Sequence, residues 1–242
     1  MHGTCLSEID VVILAGGQGT RLRSTLPGSP KVLAPINNKP FLWHCIERLK
    51  KCGARRIILS LGYKAEMVQD YVRTQTWDDV EIVTHVEGSP LGTGGAVRDV
   101  LPLIKSPTAL VMNGDSVTRL DLCRFVEFHR AKQALLSVVL TQQRQVEQSG
   151  LVETDDDGLV TSFQEKPHSQ RSGGYINTGL YLMEQEAVQE IEPGHMVSIE
   201  KEVFPRFCGR RFYAMKGKFP FVDIGTPESY RLAGEFFREE AV

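Results

Sequence analysis

A glycine-rich stretch near the N-terminus, ILAGGQGTRL, carries the first residues that could do chemistry. Gly16, Gly17 and Gly19 directly follow an apolar run, and Arg21 stands two residues after the last of them. Because glycines place no side chains in the way, the backbone N–H groups of such a loop can approach an anion closely. Arg21 and Lys31 would add two cations. The stretch therefore predicts a cradle for the phosphates of a nucleotide.

Two common phosphate-binding motifs do not fit this loop. The dinucleotide fingerprint needs G-x-G-x-x-G at the start of a helix, and Leu22 occupies the third glycine position here. Pro27 and Pro30 would interrupt a helix that began at this point. The lysine and hydroxyl residue that close a Walker loop do not follow either. A plain tight turn is the alternative explanation of the glycines.

Two aspartates are associated with apolar runs. Asp115 comes at the end of LVMNGD, and open α/β sheets bind their ligands outside the carboxyl ends of the strands. Asp223 lies within FPFVDIGT, where burying a carboxylate is costly unless it is paired or bound to a metal. Because Mg²⁺ prefers hard oxygen ligands, the two aspartates predict a magnesium site. For Asp115, an ordinary role in a strand-to-helix turn is the alternative.

Composition excludes several classes of protein. The chain has 242 residues and a formal net charge of −2, so no basic field points to nucleic acid. Its five scattered cysteines form no C-x-x-C pair, which supports neither a zinc site nor a disulfide framework and favours a reduced, cytoplasmic setting. No apolar run approaches the roughly 18 residues of a membrane span. The first ten residues show no signal-peptide pattern.

The first half of the sequence alternates between strand-like and helix-like segments. The short apolar run at residues 11–15 is typical of a strand that is buried on both faces, and residues 55–62, 80–86 and 108–115 are also strand-like. Segments with helical spacing lie between them, at residues 40–53, 64–73 and 94–104. This order predicts an α/β fold with a Rossmann-like, mostly parallel but mixed sheet that is flanked by helices.

The pattern changes after about residue 134. Strand-like runs, the middle one a hairpin around DDDG, favour a small antiparallel region, and they lie at residues 135–143, 150–165 and 173–183. Two further segments, 198–207 and 227–240, are helix-like. We expect residues 1–242 to form a single domain with a nucleotide-binding half (1–134) and an acceptor half (135–242) that is laid on the first-half sheet.

The segment LAGGQGTRLRSTLPGSPKVLAPI resembles the signature loop of the sugar-1-phosphate nucleotidyltransferases. Similar motifs recur in order along nearly the whole chain: EGSPLGTGGA, NGDS, FQEKP, INTGLYL and FVDIGTPESY. Several ordered motifs are far more specific than any one of them. The likeness is greatest to the branch that makes GDP-heptose, the D-glycero-D-manno-heptose 1-phosphate guanylyltransferases, whose members are short like this chain.

The resemblance implies a reaction and a set of catalytic residues. A sugar 1-phosphate oxygen would attack the α-phosphate of a nucleoside triphosphate, and pyrophosphate would leave. Positioning and charge neutralisation carry the rate of such a transfer. By resemblance, Asp115 and Asp223 would ligate Mg²⁺, Arg21 would contact the triphosphate and Lys31 the α-phosphate region. Lys166 would contact the phosphate of the acceptor, although a lysine before proline is otherwise most often a solvated surface charge.

The resemblance also assigns the two binding regions. Glu165 would accept hydrogen bonds from sugar hydroxyls. The nucleotide would be bound by Leu14, Ala15, Gly16, Gly17, Gly19, Thr20, Arg21, Lys31, Glu87, Pro90, Gly92, Thr93, Asn113 and Gly114. The sugar phosphate would be bound by Gly150, Glu165, Lys166, Asn177 and Thr178. The chain departs from the family at Ser149, where an aromatic residue often precedes the glycine, and this affects the expected shape of the sugar pocket.

Glu87 is the candidate for base recognition. It stands five residues before Gly92, a position where the family's backbone packs against the base. The Watson–Crick edge of guanine offers N1–H and N2–H₂ as adjacent donors, and a carboxylate can accept both. Uracil and thymine, with carbonyls on either side of N3–H, suit an amide better. The residue type therefore favours GTP, and a solvated loop charge is the alternative.

Several functions remain open at this point. We expect GTP and a manno-configured heptose 1-phosphate as substrates, with no nucleic-acid or membrane partner, and a homodimer as a candidate assembly. The alternatives are a mannose 1-phosphate guanylyltransferase and a uridylyltransferase for another sugar phosphate. A catalytically inactive nucleotide-sugar sensor would be expected to have lost one of the five catalytic residues, and all five are present. The missing third glycine argues against a dinucleotide-dependent oxidoreductase.

Overall fold

Strand β1 (Asp10–Ala15) lies at the centre of the sheet and separates two hydrophobic cores. Val11 and Ile13 point to one core, while Val12 points to the other. This alternation is the period-2 geometry of a strand that is buried on both faces. The computed structural model describes residues 4–22, 26–145, 151–164 and 172–238.

The sheet elements and helices follow each other along the described chain. The remaining strands are β2 (Pro35–Ile36), β3 (Lys39–Pro40), β4 (Arg56–Leu61), β5 (Glu81–Val86), β6 (Thr108–Asn113), β7 (Ser116–Thr118), β8 (Leu136–Gln145), β9 (Leu151–Thr154), β10 (Val160–Gln164), β11 (Ser172–Glu184), β12 (Phe212–Gly217) and β13 (Phe221–Asp223). The α-helices are α1 (Phe41–Lys51), α2 (Ala65–Thr74), α3 (Gly92–Asp99), α4 (Leu122–Ala131), α5 (Gln185–Gln189), α6 (Phe204–Phe207) and α7 (Pro227–Arg238).

The parallel part of the sheet has the order β5–β4–β1–β6. Its carboxyl ends lead directly into the segments that the sequence marks as functional. Strand β1 precedes the glycine loop, β5 precedes Glu87, and β6 precedes Gly114 and Asp115. Because ligands bind outside the carboxyl ends of such strands, the sheet gathers these three segments at one edge.

The second half continues this sheet instead of lying on it. Strand β11 runs antiparallel to β6, with Leu180 opposite Met112, and β8 pairs with β11 in turn. Strand β12, which the sequence pattern did not indicate, runs parallel to β8. The main sheet therefore has nine strands among the described residues and is mixed, as the sequence predicts, and the strands of its second half are hydrogen-bonded to those of the first.

Two helix predictions differ from the structure in detail. The segment 94–104 is helical only as α3, because Pro102 follows and residues Leu101–Leu103 form a separate 3₁₀ turn. The segment 198–207 begins with a π-helical turn, Ile199–Val203, before α6. Single π-helical turns are rare and occur frequently at functional sites.

The cysteine prediction is wrong in one respect. Cys5 and Cys123 are joined by a disulfide that connects the N-terminal segment to the start of α4. Their separation of 118 residues explains why spacing along the sequence gave no signal. The described part of the chain contains no helix with the length and apolarity that crossing a membrane requires.

We expect Phe204→Ala to lower the free energy of unfolding by about 3–5 kcal/mol, because a fully buried aromatic side chain would be lost. The Phe204 ring lies 4.9 Å from that of Phe163, 5.2 Å from Tyr181 and 4.9 Å from Phe212, measured between centroids. Urea denaturation measures the change. Leu232→Ala, at a side chain that is 56% exposed on α7, should change stability by less than about 0.5 kcal/mol. Equal losses would contradict the assignment of Phe204 to the core.

Candidate active site

The glycine loop after β1 borders a cavity of about 190 Å³ that contains both predicted cations. Gly17 and Gly19 form part of its wall, and Arg21 lies in the 3₁₀ turn Thr20–Leu22 that follows. Lys31 reaches the same cavity from a second 3₁₀ turn, Lys31–Leu33. Among the described residues, the cavity is lined by Leu14, Ala15, Gly17, Gly19, Arg21, Lys31, Val32, Gly114, Asp115 and Gly225.

Lys31 and Asp115 form an ion pair in this cavity. The distance from Lys31 Nζ to Asp115 Oδ2 is 2.5 Å, and the two side chains are 11% and 40% exposed. The ammonium group therefore balances the carboxylate charge at a half-buried position, where unpaired charges would be costly. This pair also holds the turn at Lys31 against the end of β6.

A small two-stranded sheet brings the two predicted metal ligands together. Strands β7 and β13 run antiparallel, with Ser116 opposite Asp223. The Ile224 N–H donates to the Asp115 carbonyl oxygen at 2.9 Å and continues the ladder by one residue. Residues 108 positions apart in sequence thus become neighbours. No pattern in the sequence indicated this pairing, because each strand is only three residues long.

Three of the predicted catalytic side chains converge on Gly225. A Cβ atom placed on this glycine would lie 2.6 Å from Asp223 Oδ1, 3.5 Å from Lys31 Nζ and 3.7 Å from Arg21 Nη2. A side chain at position 225 would therefore fill the space between the carboxylate and the two cations. Arg21, Lys31 and Asp223 thus lie around Gly225, and Asp115 joins them through its ion pair with Lys31. The catalytic roles of these four residues stay predictions.

The oxygen atoms of the two carboxylates are the donor type that a small divalent cation prefers. Asp223 Oδ1 accepts hydrogen bonds from the Gly225 N–H at 2.6 Å and from Ser229 Oγ at 3.4 Å, so this side chain is oriented by its neighbours. Within residues 4–22, 26–145, 151–164 and 172–238, no cluster of three or more His, Cys, Asp or Glu side chains could hold a metal. Two carboxylates fit Mg²⁺, which commonly completes its shell with water and substrate phosphates.

A larger cavity of about 600 Å³ opens next to the cationic one. Leu14, Gly17 and Asp115 border both cavities, so the loop and the carboxylate stand at the junction. The volume lies within the usual range for small-molecule sites, about 300–1,000 Å³. The lining residues are Leu14, Gly16, Gly17, Gln18, Gly62, Tyr63, Glu87, Gly88, Ser89, Pro90, Gly92, Thr93, Ala96, Asn113, Asp115 and Met196.

Glu87 projects into this larger cavity and is held by two protein donors. Its Oε1 accepts from Ser60 Oγ at 3.3 Å, and its Oε2 accepts from the Leu91 N–H at 3.1 Å. Burial raises the pKa of the Glu87 carboxyl, and the two hydrogen bonds oppose that effect. The side chain is therefore oriented, and its remaining lone pairs can accept hydrogen bonds from a ligand.

The glycines of PLGTGGA allow the backbone at Val197 to pack closely against the start of α3. Gly92 has φ +69°, and a Cβ atom there would lie 2.6 Å from the Val197 carbonyl oxygen. That oxygen accepts from the Gly94 N–H at 2.8 Å and from the Gly95 N–H at 3.2 Å, which caps the start of α3. Gly92 also lines the larger cavity, so its predicted contact with a base stays compatible with this structural role.

The predicted acceptor residues are only partly described. Thr178 is buried, and its hydroxyl donates to the Val139 carbonyl oxygen at 3.1 Å, so its side chain is turned inward. Asn177 lies at a register shift in β11 and donates from Nδ2 to the Tyr181 hydroxyl at 2.8 Å. Gly150, Glu165 and Lys166 lie outside the described residues, and their roles stay predictions.

Three residues at this site were not found by reasoning from the sequence. Met196 is 69% exposed at the rim of the larger cavity. Glu200 accepts a hydrogen bond from Thr93 Oγ1 at 3.0 Å, and Tyr181 lies fully buried behind it. The segment SIEKEVFPRF is helix-like and carries equal numbers of acidic and basic residues, which is typical of a solvated helix face. The sequence therefore gave no signal for Glu200.

Comparisons with known proteins agree with this geometry. The chain matches the family model described as Nucleotidyl transferase over residues 10–240. It is similar to the D-glycero-alpha-D-manno-heptose 1-phosphate guanylyltransferase of Aneurinibacillus thermoaerophilus, with 35% identity over 227 residues, 93% of this chain and 96% of the relative. The mannose-1-phosphate guanylyltransferase of Mycobacterium tuberculosis is 32% identical over 226 residues, 92% of this chain and 63% of the relative.

A solved structure shares both the fold and the sequence pattern. HddC from Yersinia pseudotuberculosis, in its complex with GMP-PN, matches with a TM-score of 0.81 and 35% identity over 95% of this chain and 99% of that one. The chain therefore belongs to the nucleotidyl transferase family. The predicted fold class and the resemblance to sugar-1-phosphate nucleotidyltransferases are confirmed.

We expect Gly92→Ala to lower the melting temperature and to weaken nucleotide binding. The left-handed backbone costs a residue with a Cβ about 1–2 kcal/mol, and the Val197 carbonyl would have to move. Thermal denaturation and isothermal titration with GTP measure the two effects. Gly88→Ala is the matched control, because this glycine lines the same cavity and an added Cβ would meet nothing within 4 Å. Equal effects of the two substitutions would contradict this explanation.

Proposed function

We propose that the protein transfers GMP from GTP to a sugar 1-phosphate, with D-glycero-α-D-manno-heptose 1-phosphate as the acceptor, and releases GDP-heptose and pyrophosphate. The single observation that carries the proposal is the junction of the two cavities. A cavity lined by Arg21, Lys31 and Asp115 adjoins a larger cavity of about 600 Å³, and Gly17 and Asp115 border both. A nucleoside triphosphate is divided in the same way, because its charged phosphates would occupy the smaller cavity and its largely apolar base the larger one.

The residues of the smaller cavity would act by position and charge. In the reaction, the bond from the acceptor phosphate oxygen to the α-phosphorus forms as the bond from the α-phosphorus to the bridging oxygen of pyrophosphate breaks. Arg21 and Lys31 stand where they would neutralise charge on the triphosphate, with the backbone of the glycine loop beside them. Lys166 would do the same for the acceptor phosphate.

The carboxylates Asp115 and Asp223 would hold Mg²⁺. When bound, the ion would draw negative charge from the phosphate oxygens and help to fix their orientation. The chain's own contribution is to bring the two residues side by side through the pairing of β7 with β13. Ser229 and the Gly225 N–H orient Asp223 for this task.

The base and the sugar are assigned on different grounds. Guanine fits Glu87, whose carboxylate faces the larger cavity and can accept from N1–H and N2–H₂. The relative from Aneurinibacillus thermoaerophilus aligns with this chain over 96% of its own length and is named for heptose 1-phosphate. This similarity supports the choice of acceptor. GTP is an intracellular substrate, so the enzyme would work in the cytoplasm and supply an activated heptose for surface glycan assembly.

The test is a grid of pyrophosphate-release assays with Mg²⁺. GTP, UTP, CTP, dTTP and ATP are each combined with the 1-phosphates of heptose, mannose, glucose and N-acetylhexosamine, and an excess of EDTA should abolish turnover. We expect turnover with GTP and heptose 1-phosphate. Preference for mannose 1-phosphate would contradict heptose 1-phosphate as the proposed acceptor. Preference for another triphosphate would overturn the assignment of guanine as the base. Nucleotide binding without turnover in any combination would indicate a sensor.

We expect Glu87→Gln to lower kcat/KM for GTP by about 10–100-fold relative to UTP, because a hydrogen bond to a charged acceptor is lost. The pH profile gives a second readout. Burial raises the pKa of Glu87, so wild-type affinity for GTP should fall as pH decreases through that raised value. The variant should lack this acid limb, whereas Glu66→Gln, at an exposed residue on α2, should retain it. An unchanged nucleotide preference in Glu87→Gln would refute the role.

A further inference from the structure

A continuous chain of side-chain hydrogen bonds runs from the larger cavity into the acceptor-side strand. Thr93, on the cavity wall, donates from Oγ1 to Glu200 Oε2 at 3.0 Å. The Tyr181 hydroxyl donates to Glu200 Oε1 at 3.1 Å. Asn177 Nδ2 in turn donates to the Tyr181 hydroxyl oxygen at 2.8 Å. Glu200 is therefore the acceptor on which the two sides of the site converge.

The ends of this chain are tied to backbone. The Ile199 N–H donates to Thr93 Oγ1 at 2.9 Å, and the Gly179 N–H donates to Asn177 Oδ1 at 2.9 Å. At the far end Gly179 packs against Asn113, since an added Cβ would lie 2.4 Å from Asn113 Nδ2. Asn113 lines the larger cavity two residues before Asp115. These hydrogen bonds thus connect the base loop, which we define as residues 87–93, to strand β11, which carries the predicted acceptor residues Asn177 and Thr178.

The protonation states in the chain are fixed by its geometry. Tyr181 is fully buried, and burial raises the pKa of its hydroxyl well above the usual value, with the Glu200 charge acting in the same direction. The hydroxyl therefore stays a donor. Thr93, Ser198 and Tyr181 all donate to Glu200, so a carboxylate, which is purely an acceptor, satisfies every member.

The backbone around Glu200 is unusual in a way that suits a positioning role. Glu200 lies in the π-helical turn Ile199–Val203, and the preceding Val197 carbonyl caps α3 at the base loop. Phe204, at the end of this turn, packs on the Tyr181 ring. The turn is thus anchored on the base side and on the acceptor side at once.

We propose that Glu200 is a positioning residue that fixes the nucleotide loop at Thr93 relative to the acceptor strand at Asn177, and so aligns the two substrates for transfer. This inference rests on the proposed function for its kinetic readout. Misplacement of reacting groups by about 1 Å can cost about 100-fold in rate. Loss of Glu200 should therefore affect transfer more than it affects nucleotide binding.

The kinetic test compares Glu200→Gln with Glu202→Gln. Glutamine has the same size, but Thr93 and Tyr181 donate to different oxygens of Glu200, and in glutamine one of these two positions becomes an NH₂ donor that cannot accept. Glu202 lies in the same turn and is exposed, and it accepts from the Ser198 N–H, so it is a matched control. We expect Glu200→Gln to lower kcat/KM for the sugar 1-phosphate by about 10–100-fold, with the Kd for GTP changed by less than about 3-fold. Glu202→Gln should resemble the wild type in both.

Tyr181→Phe tests whether the chain acts as a unit. This substitution removes only the hydroxyl that joins Glu200 to Asn177. We expect a loss of similar size in kcat/KM, and we expect the double variant with Glu200→Gln to be no worse than the more impaired single variant. Additive losses would overturn the proposal, as would a fall in GTP affinity as large as the fall in kcat/KM, because Glu200 would then shape only the base pocket.

A binding experiment separates this inference from the proposed function. Hydrogen exchange is measured with and without GTP, whose binding to the wild type is first established by isothermal titration. We expect nucleotide binding to slow exchange in peptides covering residues 174–182, and we expect Glu200→Gln to lose this protection at saturating nucleotide while Glu202→Gln retains it. The proposed function can then fail in the turnover grid while the inference stands. Absence of this protection in the wild type, or its retention in Glu200→Gln, would overturn the inference.

Discussion

The hydrogen bond from the Ile224 N–H to the Asp115 carbonyl oxygen is the contact on which the candidate site depends. It extends the pairing of β7 with β13 and brings the backbones of Asp115 and Asp223 next to each other. Each of the other elements supports this arrangement. Strand β6 carries Asp115 to the carboxyl edge of the sheet, and α7 begins just after Gly225. The cations of Arg21 and Lys31 reach the same point from two short turns.

Backbone atoms make up much of the remaining site, and this explains its many glycines. At Gly225 a side chain would occupy the space between three charged groups, and at Gly92 it would collide with the Val197 carbonyl oxygen. In both places the missing side chain allows a close approach that a larger residue would prevent. The glycine motifs therefore report backbone packing as well as space for a ligand. A motif of this kind indicates where a site is more reliably than it indicates what each glycine touches.

The sequence was informative where the signal is local. The apolar run before Gly16 marked β1 and the run that ends near Asp115 marked β6, because buried parallel strands read as continuous apolar runs. The run that ends near Glu87 marked β5 through its β-branched residues, although this edge strand is only partly buried. Contacts between distant residues left no such mark. Thr93 and Glu200 are 107 residues apart, and Glu200 belongs to a segment whose charges are typical of a solvated helix face. Strands as short as β7 and β13 have no measurable periodicity, so their pairing could be found only in three dimensions.

The continuity of the sheet has a consequence for how such an enzyme can change over time. Because β11 is hydrogen-bonded along β6, the second half of the chain cannot be exchanged as a module without exposing the edge of a central strand. An open edge of buried, apolar β6 residues would invite aggregation. New acceptor preferences would therefore have to arise by substitutions in the segments that connect strands, while the pairing of the strands in the sheet stays unchanged.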